Sequence, residues 1–316
     1  MGGKRTVWEQ ASACLAYGTI SVTLTLTQKT VFQIYTFNYP AFVTLMQILT
    51  SLSLMHSLKA MGYIEFQTFR VGSAKQTWPL AASWWLYVVS GVTALRYLNV
   101  PMFSVLRRIT TILVVLGEIA LFNKRPSPAS GVALLMMTAG AVIAGATDLT
   151  YNFLGYFYVS VCVVSTAAYL LLIRRLREQT GLDEISLLYY NNFLGLPLMA
   201  LWLLFGTDEL RDVFSYPHIT SPFFVACLLF SAAQAFALNI CIFRCTSINS
   251  PLATSVTGQI KDIATTGLGM FLFGDVVYTS QNMLGLSVGL GGGMLYSAIS
   301  YVNSVRASQN EGLAKH

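Results

Sequence analysis

Tyr189-Tyr190-Asn191-Asn192 and Gly258-Gln259-Ile260-Lys261-Asp262 interrupt apolar stretches with groups that lipid would reject. A charge at the centre of a membrane-spanning helix costs about 2.5 kcal/mol or more on insertion scales, so one that persists faces a water-filled cavity and meets a ligand or partner there. Lys261 is therefore expected to contact a substrate, provided that the stretches around it span a membrane. The surrounding composition meets that condition. Hydrophobic residues make up 55% of the 316 positions and charged residues 10%, with a mean hydropathy of +0.61. A soluble domain carries roughly 25% charged residues.

Working outward, apolar runs between charged or Pro/Gly/Asn-containing breaks predict ten spans, near 7–28, 36–58, 79–97, 100–121, 128–147, 151–173, 186–205, 221–243, 250–273 and 280–302. With about 20 residues needed per span, no soluble domain fits between them. An even number puts both termini on one side of the bilayer. That side then holds Lys4, Arg5, Lys59, Arg70, Lys75, Lys124, Arg125, Arg174, Arg175, Arg177, Arg244, Arg306 and Lys315, against Lys29, Arg96 and Arg211 on the other. The positive-inside rule makes the termini cytosolic. The net charge of +6 thus reflects topology and gives no case for nucleic-acid binding.

Positions 150 apart match: Asn99-x-Pro101 with Asn249-x-Pro251, and Gly117 with Gly267. This offset sets span 4 beside span 9 and divides the chain into five plus five helices, residues 1–148 and 149–316. An odd number of helices per repeat inverts one half against the other, the arrangement that builds a midplane site and permits alternating access. The expected fold is an all-α membrane protein of ten transmembrane helices in two inverted five-helix repeats, working as a rocking transporter.

Span 4 carries Arg107 and Arg108, then Thr110, Thr111 and Glu118; span 9 carries Thr254, Ser255, Thr257, Gln259, Lys261 and Asp262. If both line one cavity, three cations meet near the pseudo-twofold axis, which suits a strongly anionic substrate: Arg recognises phosphate bidentately and Lys supplies a point charge. The alternative is that an Arg pairs with Glu118 or Asp262, or snorkels to the interface. The asparagines of the Tyr189–Asn192 run offer donors and acceptors to a nucleobase edge, and the tyrosines can stack on its face. Helix capping by Asn191 is the structural alternative.

Span 10 repeats glycine at 285, 289 and 293, and span 5 has Gly131, Gly140 and Gly145, a small-residue spacing that lets helices approach closely and would also suit a homodimer. The five cysteines fall in or at the ends of apolar spans, a packing pattern. His56, His218 and His316 form no cluster and no HExxH, so no catalytic residue, metal or cofactor is expected, and the chain is read as a transporter and not an enzyme.

On these motifs the chain resembles nucleotide-sugar transporters of the drug/metabolite transporter superfamily, over nearly its whole length. Tyr189-Tyr190-Asn191-Asn192 is similar to the Phe-Tyr-Asn-Asn motif of GDP-mannose and GDP-fucose carriers, where the asparagines contact guanine. Of that branch's Gly-Ala-Leu-Asn-Lys motif only the lysine remains, at Lys261. The longer stretch from Cys245-Thr246-Ser247-Ile248-Asn249-Ser250-Pro251 through Gly258-Gln259-Ile260-Lys261 to Gly269-Met270 instead resembles the UDP-sugar branch. Tyr17 falls where GDP-mannose carriers have a substrate-contacting tyrosine, Phe103 replaces another such tyrosine, and Gln28-Lys29 stands where the family commonly has Asn-Lys. The resemblance implies exchange: a cytosolic nucleotide sugar, a UDP-sugar by the longer signal, enters the Golgi or ER lumen and a nucleoside monophosphate returns. A GDP-sugar/GMP exchanger and a sugar-phosphate translocator are the alternatives. Tyr17, Lys29, Arg107, Arg108, Tyr189, Tyr190, Asn191, Asn192, Ser255, Gln259 and Lys261 are the expected substrate-binding residues.

Overall fold

A computed structural model describes residues 7–98, 103, 106–123, 126–145, 152–261 and 280–313. Asn99, Val100, Pro101, Asp262 and Gly267 lie outside the described residues, as does the second half of expected span 9. Everything regular among the described residues is helical. The helices are α1 (Val7–Lys29), α2 (Pro40–Ala60), α3 (Val71–Ala94), α4 (Ile109–Phe122), α5 (Pro128–Gly145), α6 (Phe153–Thr180), α7 (Glu184–Phe205), the one-turn α8 (Glu209–Asp212), α9 (Pro222–Ile248), α10 (251–261) and α11 (Ser280–Leu313). Of these, α2, α6, α7 and α9 are each long and apolar enough to cross a membrane, and Ile109–Phe122 and Pro128–Gly140 are shorter apolar helices.

Local chemistry sets the boundaries. Pro40 and Pro222 open α2 and α9 at the first turn, where the missing N–H costs nothing. The Asn152 side chain accepts from Gly155 N (3.1 Å) to cap α6, and Asp183 accepts from Ser186 N (3.3 Å) to cap α7. At its far end α6 stops at Gly181, whose φ of 68° is the left-handed turn that glycine takes without a Cβ penalty. Several expected boundaries move, those of α3 and α6 among them. α3 begins at Val71, eight residues before Pro79, which the helix absorbs near its start, and α6 continues past its apolar run to Thr180, where Arg174 pairs with Glu178 one turn on (2.9 Å).

α1 is rich in threonine, yet its hydroxyls are satisfied within the helix. Thr19, Thr23, Thr25, Thr27 and Thr30 each donate to the carbonyl four residues back, at 2.8 to 3.2 Å. Such back-bonding lets a polar sequence meet lipid without an unpaired donor.

The helices pair as α5 with α11, α3 with α6 and α7, α9 with α1 and α2, α2 with α7, and α4 with α6. The α5–α11 pair owes its closeness to glycine: a Cβ on Gly140 would lie 2.4 Å from the Gly289 nitrogen and 2.6 Å from the Gly285 carbonyl oxygen, and one on Gly292 would lie 2.8 Å from the Ala133 oxygen. These small faces are used against each other inside the chain. Gly131 has nothing within 4 Å of a built Cβ, so the expectation that it serves this packing is corrected.

Candidate functional site

Two backbone starts and a short hydroxyl–amide chain join α4 to α10. Ser250 Oγ accepts from Ala253 N (3.0 Å), and the buried Glu118 on α4 reaches across so that its Oε1 accepts from Leu252 N (2.9 Å). A carboxylate there meets unsatisfied N–H groups and the positive end of the helix dipole. One turn further, the hydroxyls of Thr111 and Ser255 are bonded at 2.8 Å, and Gln259 Nε2 donates to Thr111 Oγ1 and to the Arg108 carbonyl oxygen (3.4 Å). Ser255 and Gln259 are four apart and share the face of α10 that meets α4. The expected neighbourhood of spans 4 and 9 is thus present, while Glu118 is engaged by the α10 backbone.

The three expected cations differ in exposure. Arg107 is exposed, with its guanidinium carbon 5.6 Å from the centre of the Phe103 ring, and Arg108 and Lys261 are half-buried. Tyr17 approaches from α1: a Cβ on Gly258 would stand 3.1 Å from the Tyr17 hydroxyl, and one on Gly18 meets Thr257 Cγ2 at 4.0 Å. Tyr17, Arg108, Ser255 and Gln259 therefore belong to one region built by α1, α10 and the start of α4, and Lys261 lies two residues beyond Gln259 on α10. Lys29 ends α1, eleven residues beyond Gly18, which at 1.5 Å per residue is about 17 Å along the axis. The structure does not bring it to the group.

The Tyr189–Asn192 run sits more than a turn inside α7 and all four residues are buried, with bonds that run elsewhere. Tyr190 Oη donates to the Thr68 carbonyl (3.0 Å) and accepts from Arg70 N (2.9 Å), fixing the connection that leads into α3. The Tyr189 ring packs on Phe66 (4.7 Å between centroids), Phe193 (5.7 Å) and His56 (5.8 Å). Asn192 Nδ2 donates to Ser51 Oγ on α2 (2.7 Å). Asn191 differs: it is 1% exposed, and its Oδ1 has no hydrogen-bond partner among the described residues. It is no cap, because Asp183 caps this helix.

At the opposite end of α2, the connection after α7 closes over the α1–α2 turn. Glu209 Oε2 accepts from Phe42 N (3.0 Å), Tyr39 Oη donates to the Asp212 carbonyl (3.4 Å), and Tyr216 Oη donates to the Tyr35 carbonyl. Phe37, Tyr216 and Phe224 stack edge-on around this contact at about 5 Å between centroids. Burial pushes the Glu209 carboxyl above its ordinary value, opposed by the N–H groups of Phe42 and Ala41 and by Arg96. Sequence reasoning missed the contacts of Glu209 and Ser51, because a polar residue carries no sign of where across the fold it docks.

The Triose-phosphate Transporter family matches residues 9–297. The chain belongs to this family. Among its relatives are a UDP-N-acetylglucosamine transporter of Arabidopsis thaliana, 33% identical over 91% of this chain and 87% of its own, and a UDP-sugar transporter of Drosophila melanogaster, 29% identical over 93% and 78%. A GDP-mannose transporter of Arabidopsis thaliana is 28% identical over 90% and 86%. One crystal structure matches with a TM-score of 0.66 at 16% identity, over 92% of this chain and 98% of its own, a likeness of fold. As a member of the Triose-phosphate Transporter family with nucleotide-sugar transporters among its relatives, the chain is a transporter and not an enzyme.

Proposed function

We propose that this chain is a nucleotide-sugar antiporter of the Golgi or ER membrane, moving a cytosolic UDP-sugar into the lumen in exchange for UMP. The observation that carries the substrate class is the similarity to a UDP-N-acetylglucosamine transporter along almost the full length of both chains. Arg107, Arg108 and Lys261 are the phosphate-holding cations, set around the Thr111–Ser255–Gln259 chain, and Tyr17 borders the same space. Asn191, whose buried carbonyl oxygen has no partner among the described residues, is the candidate for the base; Asn192 and Tyr190 serve the scaffold in this conformation.

The architecture of this reading is ten spans in two inverted repeats, 1–148 and 149–316, with both termini cytosolic. It is supported by how the helices pair. Counting spans as α1 to α5 and then α6, α7, α9, α10 and α11, adding five to each span number turns the pair 3–6 into 8–1 and 3–7 into 8–2, and leaves 2–7 and 5–10 unchanged; all of these pairs occur. The two docking connections follow the same rule, since 61–70 docks on span 7 and 206–221 on span 2.

A second reading, GDP-sugar exchange for GMP, is favoured by the Tyr189–Asn192 run and by the GDP-mannose relative. Counterflow into proteoliposomes preloaded with UMP or GMP, offered a panel of UDP- and GDP-sugars, separates the two. UMP-driven uptake of a UDP-sugar is expected. Uptake driven by GMP alone would replace the first reading with the second, and uptake with neither would return the question to sugar phosphates.

A further inference from the structure

Buried tyrosines differ in how their hydroxyls are satisfied. Tyr190 gives and receives a hydrogen bond, and Tyr216 donates one. Tyr169, on α6, is 3% exposed, and its hydroxyl has no hydrogen-bond partner among the described residues. A phenylalanine would fill the same space. An unmatched buried hydroxyl is costly, and more so where surrounding lipid offers no partner, so the group calls for an explanation outside packing.

Its surroundings supply one. The Tyr169 ring lies 5.5 Å from that of Tyr87 on α3 and 6.0 Å from that of Phe243 on α9, and Tyr87 meets Trp84 at 6.5 Å. Tyr87 also packs against the cluster that holds Phe103, whose ring centre lies 5.6 Å from the Arg107 guanidinium carbon, and Tyr17 is near enough to act on the Tyr169 hydroxyl. Tyr169 is thus separated by the Tyr87 and Phe103 rings from Arg107, proposed above to hold phosphate. A buried phenol hydroxyl with no partner among the described residues is a donor available to an anionic acceptor, and hydrogen bonds to charged oxygens are roughly twice as strong as neutral ones.

We propose that Tyr169 is a substrate contact whose hydroxyl donates to a phosphoryl oxygen of the transported nucleotide when α3 and α6 admit the ligand between Tyr17 and Arg107. This rests on the nucleotide-antiport reading. The test is Tyr169→Phe, which removes one oxygen and no volume, reconstituted beside the wild type. KM for nucleotide exchange is expected to rise about tenfold or more, inhibition by UMP to weaken, inhibition by the phosphate-free nucleoside uridine to stay as in wild type, and the melting temperature to hold or rise. An unchanged KM overturns the proposal, whether stability falls (a structural bond) or stays put (an idle group). Equal weakening of UMP and uridine overturns the phosphoryl assignment. A wild type that exchanges no nucleotide overturns the antiport reading and this inference with it, whereas an active wild type beside an unaltered variant overturns this inference alone.

Discussion

Glu118 and Glu209 use the same device in opposite directions. Each is buried, and each carboxylate accepts a backbone N–H from the first turn of another helix, α10 for Glu118 and α2 for Glu209. The second lies outside the long helices, where its titration has a readable consequence. Burial raises its pKa above the ordinary 4.5, so the folded protein favours the protonated form. The sign follows from linkage: this group's contribution to stability is fully present below about 4.5 and declines as pH rises through the raised value. Melting temperatures measured from pH 4.5 to 8 should fall toward neutrality more steeply in wild type than in Glu209→Gln, whose neutral amide cannot ionise. A wild-type profile no steeper than the variant's would contradict this. Neither carboxylate's role was legible in the sequence. Lys261 and Gln259 were conspicuous as polar groups inside an apolar run, but a hydrogen bond across 134 residues, as between Glu118 and Leu252, leaves no local mark.

Elements were more legible than contacts. Lipid leaves backbone groups no partner but each other, so an apolar run long enough to span becomes a helix, and helices fall in each stretch read from hydropathy. The failures are at ends, where polar residues continue a helix past its apolar part, as in α3 and α6. Glycine spacing was half-informative: it marked the close α5–α11 pair, but a four-residue rhythm does not say which members face the partner. That distinction gives a paired prediction. Gly140→Ala forces a Cβ toward the Gly289 backbone, which cannot step aside, and overpacking of this kind costs roughly 1–3 kcal/mol. Gly131→Ala adds a methyl into open space on a helix, with a neutral or slightly stabilising effect. Thermal unfolding in detergent should show the first variant several degrees below wild type and the second at or above it. Equal losses would mean that helix propensity, and not the α5–α11 contact, governs both sites.

For the whole molecule, pseudo-symmetry makes a demand that neither single residues nor single helices make. If the halves are inverted, the connection between spans 2 and 3 and its counterpart between spans 7 and 8 occupy equivalent places yet open on opposite faces of the membrane. Each carries an exposed aromatic residue: Tyr63 is 77% exposed in the first and Phe214 is 71% exposed in the second. The five natural cysteines are at 14, 162, 227, 241 and 245, in the long helices and in neither connection. Tyr63→Cys and Phe214→Cys therefore add one readable thiol each, at positions where loss of packing is small. In sealed vesicles of known orientation, a membrane-impermeant thiol reagent should label position 63 from the cytosolic face only and position 214 from the lumenal face only. The excess of basic residues assigned to the side of position 63 fixes which label comes from which face. Labelling of both from the same face would mean that the halves run parallel, and the proposed site between α4 and α10 would then lose its symmetry argument while keeping its hydrogen bonds. Opposite labelling with the faces exchanged would preserve the inversion and place both termini on the lumenal side.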